Sequence, residues 1–353
     1  MRLPFLTIFA VLTALVLPAG AGASVPSTFF GMSALLPTDH DFERMSNGGI
    51  GTYRIGIDWR SVQRTRKGGL DWTGPDNDFR QAIDAGLQPT PFLYGSPRFI
   101  SGSPSKIVPP TSAEDLELWG RFAAAAAKRY GPGGDFFAEN PYSQLLPVRQ
   151  WIIWNEQNAR PFWFPRADPE EYARLVKVSD EAISSVDDTA RISLGGMFGY
   201  PKDSRSLPVT EFLKAFYRVP GIERHFDTVD LHPYGAGIAT VRKQVEQARG
   251  VMRKAGDGGA SILIGELGWA SGGPKKSPSV VGVTGQRNRI RDGLDLLLAN
   301  RDKWNVSAVF VYVWRDFSVT TPCLWCPRAG MLTEDGDPKP SWIALKKTIR
   351  DNR

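Results

Sequence analysis

Gln150-Trp151-Ile152-Ile153-Trp154-Asn155-Glu156-Gln157-Asn158, residues 150–158, opens on an apolar run and stops abruptly in a polar cluster. Short continuous apolar runs suit strands covered on both faces, as in a parallel sheet. Ile262-Leu263-Ile264-Gly265-Glu266-Leu267-Gly268-Trp269 repeats the plan, with Glu266 at the exit of a second such run. Working outward, further strands are predicted near Phe29–Met32, Tyr53–Trp59, Pro89–Tyr94, Ile192–Gly195, Thr228–His232 and Ala308–Trp314. Amphipathic helical patterns separate them, some with clear start signals. Thr111-Ser112-Ala113-Glu114 reads as a capping box, and Asp168-Pro169-Glu170-Glu171 as an N-cap with a first-turn proline and two acids. Helices are also predicted over Gln286–Asn300 and near Trp342–Ile349.

Eight strands alternating with helices predict an α/β fold, a single (β/α)8 TIM barrel with elaborated βα loops spanning residues 24–353. A doubly wound open sheet is the competing architecture, but neither a G-x-G-x-x-G turn nor a P-loop is present to support it. In a barrel, strand exits at the C-terminal end carry the chemistry. By strand count Glu156 and Glu266 end the fourth and seventh strands, on opposite sides of the mouth. Two carboxylates flanking one cavity suit glycosidic-bond cleavage, where one protonates the leaving oxygen and the other acts at the anomeric carbon. Glu156, ending an apolar strand, is expected to be desolvated and so to hold its proton, and Asn155 beside it to bond a substrate hydroxyl. The plainer alternatives are a strand-ending cap for Asn155 and Glu156, and an ion pair with Arg54 for Glu266.

The pair Trp-Asn-Glu on strand four and Gly-Glu-x-Gly-Trp on strand seven resembles clan A of the glycoside hydrolases, the retaining (β/α)8 enzymes. The likeness extends over nearly the whole chain after residue 23. Arg54 resembles the clan's arginine that orients the nucleophile. His232-Pro233-Tyr234 resembles its His-x-Tyr, whose tyrosine hydrogen-bonds the nucleophile. Trp314 resembles the tryptophan flooring the subsite of the cleaved sugar, which the clan commonly holds through a non-proline cis peptide, here placed at Trp314–Arg315. Asn158 after Asn-Glu is closest to family 39, although Gln157 stands where that family usually has proline. The resemblance implies Glu156 as acid/base and Glu266 as nucleophile of a retaining mechanism.

Trp59, Trp269 and Phe162-Trp163-Phe164 fall just beyond strand ends and are candidate sugar platforms, although core packing is the expected fate of at least half of them. Cys323-Leu324-Trp325-Cys326 is expected to form a disulfide whose small ring holds Trp325 over the cleft. Lys275, Lys276, Arg287, Arg289 and Arg291 read as a solvated basic face, with selection of an acidic polysaccharide as the minority reading.

Residues 1–23 read as a secretory signal peptide: Arg2, an apolar run from Pro4 to Pro18 too short to span, and Ala21-Gly22-Ala23 as the cleavage site. The expected location is therefore extracellular or at the cell wall, with no membrane segment after processing. Of 353 residues, 42% are hydrophobic and 23% charged, which excludes disordered and collagen-like chains. Two cysteines and three histidines (His40, His225, His232) cannot build a disulfide scaffold, a zinc ribbon or a histidine metal cage, and no metal or other cofactor is expected. The net charge of +6 is mild and dispersed, so nucleic acid is not an expected partner. A monomer acting on an oligo- or polysaccharide is expected. A non-catalytic carbohydrate-binding barrel at the cell surface is the alternative; a serine esterase would need a G-x-S-x-G elbow, which is absent.

Overall fold

The computed structural model describes residues 25–353 apart from 142, 202, 320 and 322, so the expected leader lies outside the described residues. Eight strands form the barrel: β1 (Phe30–Ser33), β2 (Thr52–Asp58), β3 (Gln88–Tyr94), β4 (Gln150–Ile153), β5 (Arg191–Leu194), β6 (Thr228–His232), β7 (Ser261–Leu267) and β8 (Val306–Tyr312). Each pairs in parallel with its sequence neighbours, and β8 pairs with β1, closing the sheet on itself. A two-residue continuation beyond β5, Met197–Phe198, pairs with the upper part of β6. The predicted barrel is the observed one.

Period-two alternation sorts the inward side chains into layers. At the lower end, Thr52 pairs with Thr90 and Thr228 with Ser261 through their hydroxyls, at 2.9 and 2.8 Å. Above them Ile152, Leu263 and Phe310 form a buried apolar plug, with Phe92 and Ala308 packed against it. Gly31 is needed beside this plug, because a Cβ there would lie 2.4 Å from the Phe310 ring. The plug shields the polar residues of the mouth from below.

Helix starts follow the local chemistry. Asp168 caps the helix Pro169–Ser184 by accepting from the backbone N–H groups of Glu170 and Glu171. The helix Ala113–Tyr130 begins one residue later than its predicted box, with Ser112 as the cap accepting from Asp115. The helix Gly282–Ala299 starts four residues before its predicted span and ends one residue short of it, while Pro340–Asp351 extends beyond both ends of its own. They pack on each other and close the barrel's outer layer.

Candidate active site

β2 carries Arg54 inward at the level just above Thr52, and its guanidinium lies 4.1 Å from the Phe92 ring centre. Nη1 donates to Glu266 Oε1 and Nη2 to Asn155 Oδ1, each at 2.8 Å. One arginine thus ties the exit of β4 to the exit of β7. Strict alternation from Leu263 would turn Glu266 away from the interior. A register shift in the β7–β8 pairing between Ile264 and Leu267 re-aims it. Gly265 allows this, because a Cβ there would meet both carboxyl oxygens of Asp230 at 2.4 Å.

At the end of β4, Trp154 and Glu156 have φ of +73° and +46°, a left-handed conformation costly for residues other than glycine. Neighbouring groups hold this turn. The Glu156 N–H donates to the Gly196 carbonyl, the Gln157 amide to the Gly195 carbonyl, and the Asn158 amide to those of Phe198 and Leu207. Gln157 and Asn158 are fully buried and act as clamps on the segment after β5. Asn155, engaged by Arg54 through its carbonyl, keeps its amide NH2 without a protein partner among the described residues.

β6 supplies His232 and, just beyond its end, Tyr234. The Tyr234 hydroxyl donates to Glu266 Oε2 at 2.5 Å. His232 Nδ1 lies 3.0 Å from Glu156 Oε1 and 3.6 Å from Glu266 Oε2. One oxygen from each glutamate and a ring nitrogen of His232 all fall within 4.8 Å of one another. A cation could be spanned by such a set, yet its oxygens are already served by Arg54, Tyr234 and His232, and the guanidinium beside them opposes a second positive charge. The arrangement favours proton chemistry.

Burial divides the ionisable groups. Desolvation, partly offset by Arg54, pushes the Glu156 carboxyl up to about 7. Burial holds His232 down to about 4, so the imidazole is neutral near pH 7. Tyr234 is pushed well above the usual phenol range by burial and by Glu266, and it remains a hydroxyl donor. Beneath them Asp230 is fully buried, with Oδ1 accepting from the Gly265 N–H at 2.7 Å and Oδ2 unpartnered. Burial raises its carboxyl to about 8.

Glu156, Glu266, Arg54, Asn155, His232 and Tyr234 are therefore brought together as expected. As sugar platforms Trp59, Trp269 and Trp163 are corrected, in line with the core packing expected for at least half of the five aromatic candidates. Trp59 and Trp269 are buried at 0% and 1% exposure, and Trp163 is likewise in the core. Trp59 stacks on Phe122, and Trp269 donates to the Gly235 carbonyl, bracing the loop that carries Tyr234. Trp314 is also buried, edge-on against Trp342 at 5.0 Å, because β8 ends two residues earlier than predicted. The inward residue at the strand exit is Tyr312, and the non-proline cis peptide is Tyr312–Val313 instead of Trp314–Arg315. Alternation from Phe310 carried the signal for Tyr312, and an acid in an apolar strand carried it for Asp230.

Cys323 and Cys326 are disulfide-bonded. Trp325 in their ring stands edge-on to Tyr234 at 4.9 Å and to Tyr312 at 6.1 Å, half-buried at the mouth. Of the basic face, Lys275, Lys276, Arg287 and Arg291 are exposed.

No family model and no curated protein matches the chain. Solved structures do. A family 39 glycoside hydrolase from Bacteroides cellulosilyticus WH2 is 18% identical, with a TM-score of 0.64 over 92% of this chain and 64% of its own. A monomeric β-xylosidase from Caulobacter crescentus CB15 is 20% identical, with a TM-score of 0.66 over 92% of this chain and 69% of its own. A family 39 enzyme from Xanthomonas axonopodis pv. citri is 19% identical, with a TM-score of 0.65 over 94% and 68%. The chain thus shares its fold with clan A glycoside hydrolases and spans about two thirds of the length of these three.

Proposed function

We propose that the protein is a retaining β-glycoside hydrolase acting on an extracellular or cell-wall oligo- or polysaccharide. The observation that carries this reading is the carboxylate pair, with oxygens of Glu156 and Glu266 within 4.8 Å of each other and in opposite electrostatic settings. Retaining glycosidases place their two carboxyl groups about 5–5.5 Å apart, whereas inverting ones leave roughly 6.5–9.5 Å for a water.

In the first step Glu266, its oxygens held by Arg54 and Tyr234, attacks the anomeric carbon. Glu156 gives its proton to the glycosidic oxygen as that bond breaks, and the leaving sugar departs with the proton. In the second step the Glu156 carboxylate takes a proton from water, the hydroxide oxygen bonds to the anomeric carbon, and Glu266 is released. Neutral His232 keeps Glu156 oriented through either donor sense of their hydrogen bond. Secretion, expected from residues 1–23, would place the enzyme with such substrates. The β-xylosidase likeness makes xylosides the first series to try.

A panel of activated aryl β-glycosides tests the reading. Hydrolysis is expected in at least one sugar series. Glu266→Ala should abolish it, and Glu156→Gln should slow it by about 10²–10⁴-fold, the usual range for a general acid/base. Turnover indifferent to Glu266→Ala would contradict the assignment.

A further inference from the structure

A cavity of about 580 Å³ runs from Glu266, Arg54 and Tyr312 past Gly56 and Phe92, and reaches Asn77, Asp78 and Gln81 on the helix Thr73–Asp84. Its volume lies within the roughly 300–1,000 Å³ usual for ligand sites. Glu266 lines it and Glu156 does not. The leaving group must lie on the side of the acid that protonates it. The cavity therefore extends from the other side of the scissile bond, where the sugar retained on Glu266 continues.

Its far end has the chemistry of sugar recognition. Asp78 makes no ion pair or hydrogen bond among the described residues, and Asn77 likewise has a free amide at the surface. Gln81 donates to Asp39 Oδ1, which leaves its own carbonyl oxygen available. Across from them, Leu35 and Leu36 line the same cavity at 50% and 93% exposure. Leu36 is held at φ +46°, a backbone cost that keeps an apolar side chain in water. A carboxylate and amides for hydroxyls, opposite an apolar lip for CH faces, match a pyranose or furanose ring. The basic lining residue Arg54 is already engaged by Glu266 and Asn155, so nothing there balances an anionic sugar.

We propose that this cavity is a subsite for a second, uncharged sugar unit on the non-leaving side of the cleaved bond, with Asp78 accepting from its hydroxyls. The inference rests on the hydrolase reading above. It makes the protein an enzyme for chains of at least two sugars before the cut, not for single terminal residues.

The test compares 4-nitrophenyl β-glycosides of a monosaccharide and of its β-linked disaccharide in the xylose, glucose and mannose series. In the series hydrolysed, kcat/KM for the disaccharide should exceed that for the monosaccharide by about tenfold or more, the scale of a hydrogen bond to a charged group. Asp78→Ala should bring this ratio close to one, and Asn77→Ala should lower it. Both side chains are exposed and without protein partners, and matching thermal melts confirm folding of the variants. A ratio near one in the unmodified protein, or one unchanged by Asp78→Ala, overturns the subsite while leaving the hydrolase reading standing. No Glu266-dependent hydrolysis in any series overturns both.

Discussion

The two glutamates are chemically alike, and only their surroundings separate them. Glu266 meets a guanidinium and a phenol, while Glu156 meets a neutral imidazole and low-dielectric walls. An acid raised to about 7 must be protonated to work in the first step, so kcat/KM is expected to fall as pH rises through about 7. A pH–rate profile on a glycoside with a poor leaving group checks this. The alkaline limb should vanish in Glu156→Gln, whose amide does not titrate, and its persistence there would assign the limb elsewhere. Both glutamates were legible because each ends an apolar run, and Arg54, His232 and Tyr234 through their resemblance to clan A residues, Arg54 standing inside β2 and not at its exit. Trp314 misled because its place after Phe310–Val313 reads as the strand exit, whereas β8 stops at Tyr312, which takes the mouth position, and Trp314 packs against Trp342.

At the scale of elements, the eight strands were readable because a closed parallel sheet is covered on both faces and leaves short, nearly continuous apolar runs. Their ends were less so. β8 stops at Tyr312, and the chain then runs through a loop whose anchors are tertiary and leave no local pattern. Buried Lys339 donates to Asp316 Oδ1 at 2.7 Å and also reaches Ser271, while the Gln286 amide binds the carbonyls of Trp269, Ala329 and Gly330. This framework supports the segment that presents Trp325 beside Tyr234 and Tyr312. Asp316→Ala leaves a buried ammonium unpaired and is expected to cost about 3–5 kcal/mol in denaturant unfolding. A loss below about 1 kcal/mol would show the pair to be no more than a surface-like contact.

Across the whole molecule, the apolar plug separates the barrel's lower hydroxyl pairs from an ionisable mouth, and that separation makes folding pH-dependent. Asp230 is fully buried against the Gly265 N–H and is raised by that burial to about 8 from an ordinary 3.8. Between those values the folded chain keeps a proton that the unfolded chain has released, so this group's contribution to stability falls as pH rises. His232, lowered to about 4, acts in the opposite sense between about 4 and 6.5. Asp230→Asn can still accept from the Gly265 N–H and removes the first effect. Its stability relative to the unmodified protein should be lowest below about pH 4, climb through neutrality and level off above about pH 8. Thermal melts across that range check it; a difference independent of pH would mean that Asp230 is ionised throughout. Asp230 had a sequence signal, a lone acid two residues before His232, but only barrel closure turns it into a group with an unpartnered oxygen.

The stereochemistry of the first product bears most directly on the carboxylate pair. An aryl β-glycoside of the series hydrolysed is followed by proton NMR before the free sugar equilibrates. Two displacements at one carbon, with Glu266 bonded in between, predict that the β-anomer appears first. Initial appearance of the α-anomer would mean a single displacement by water and would contradict the roles given to Glu156 and Glu266.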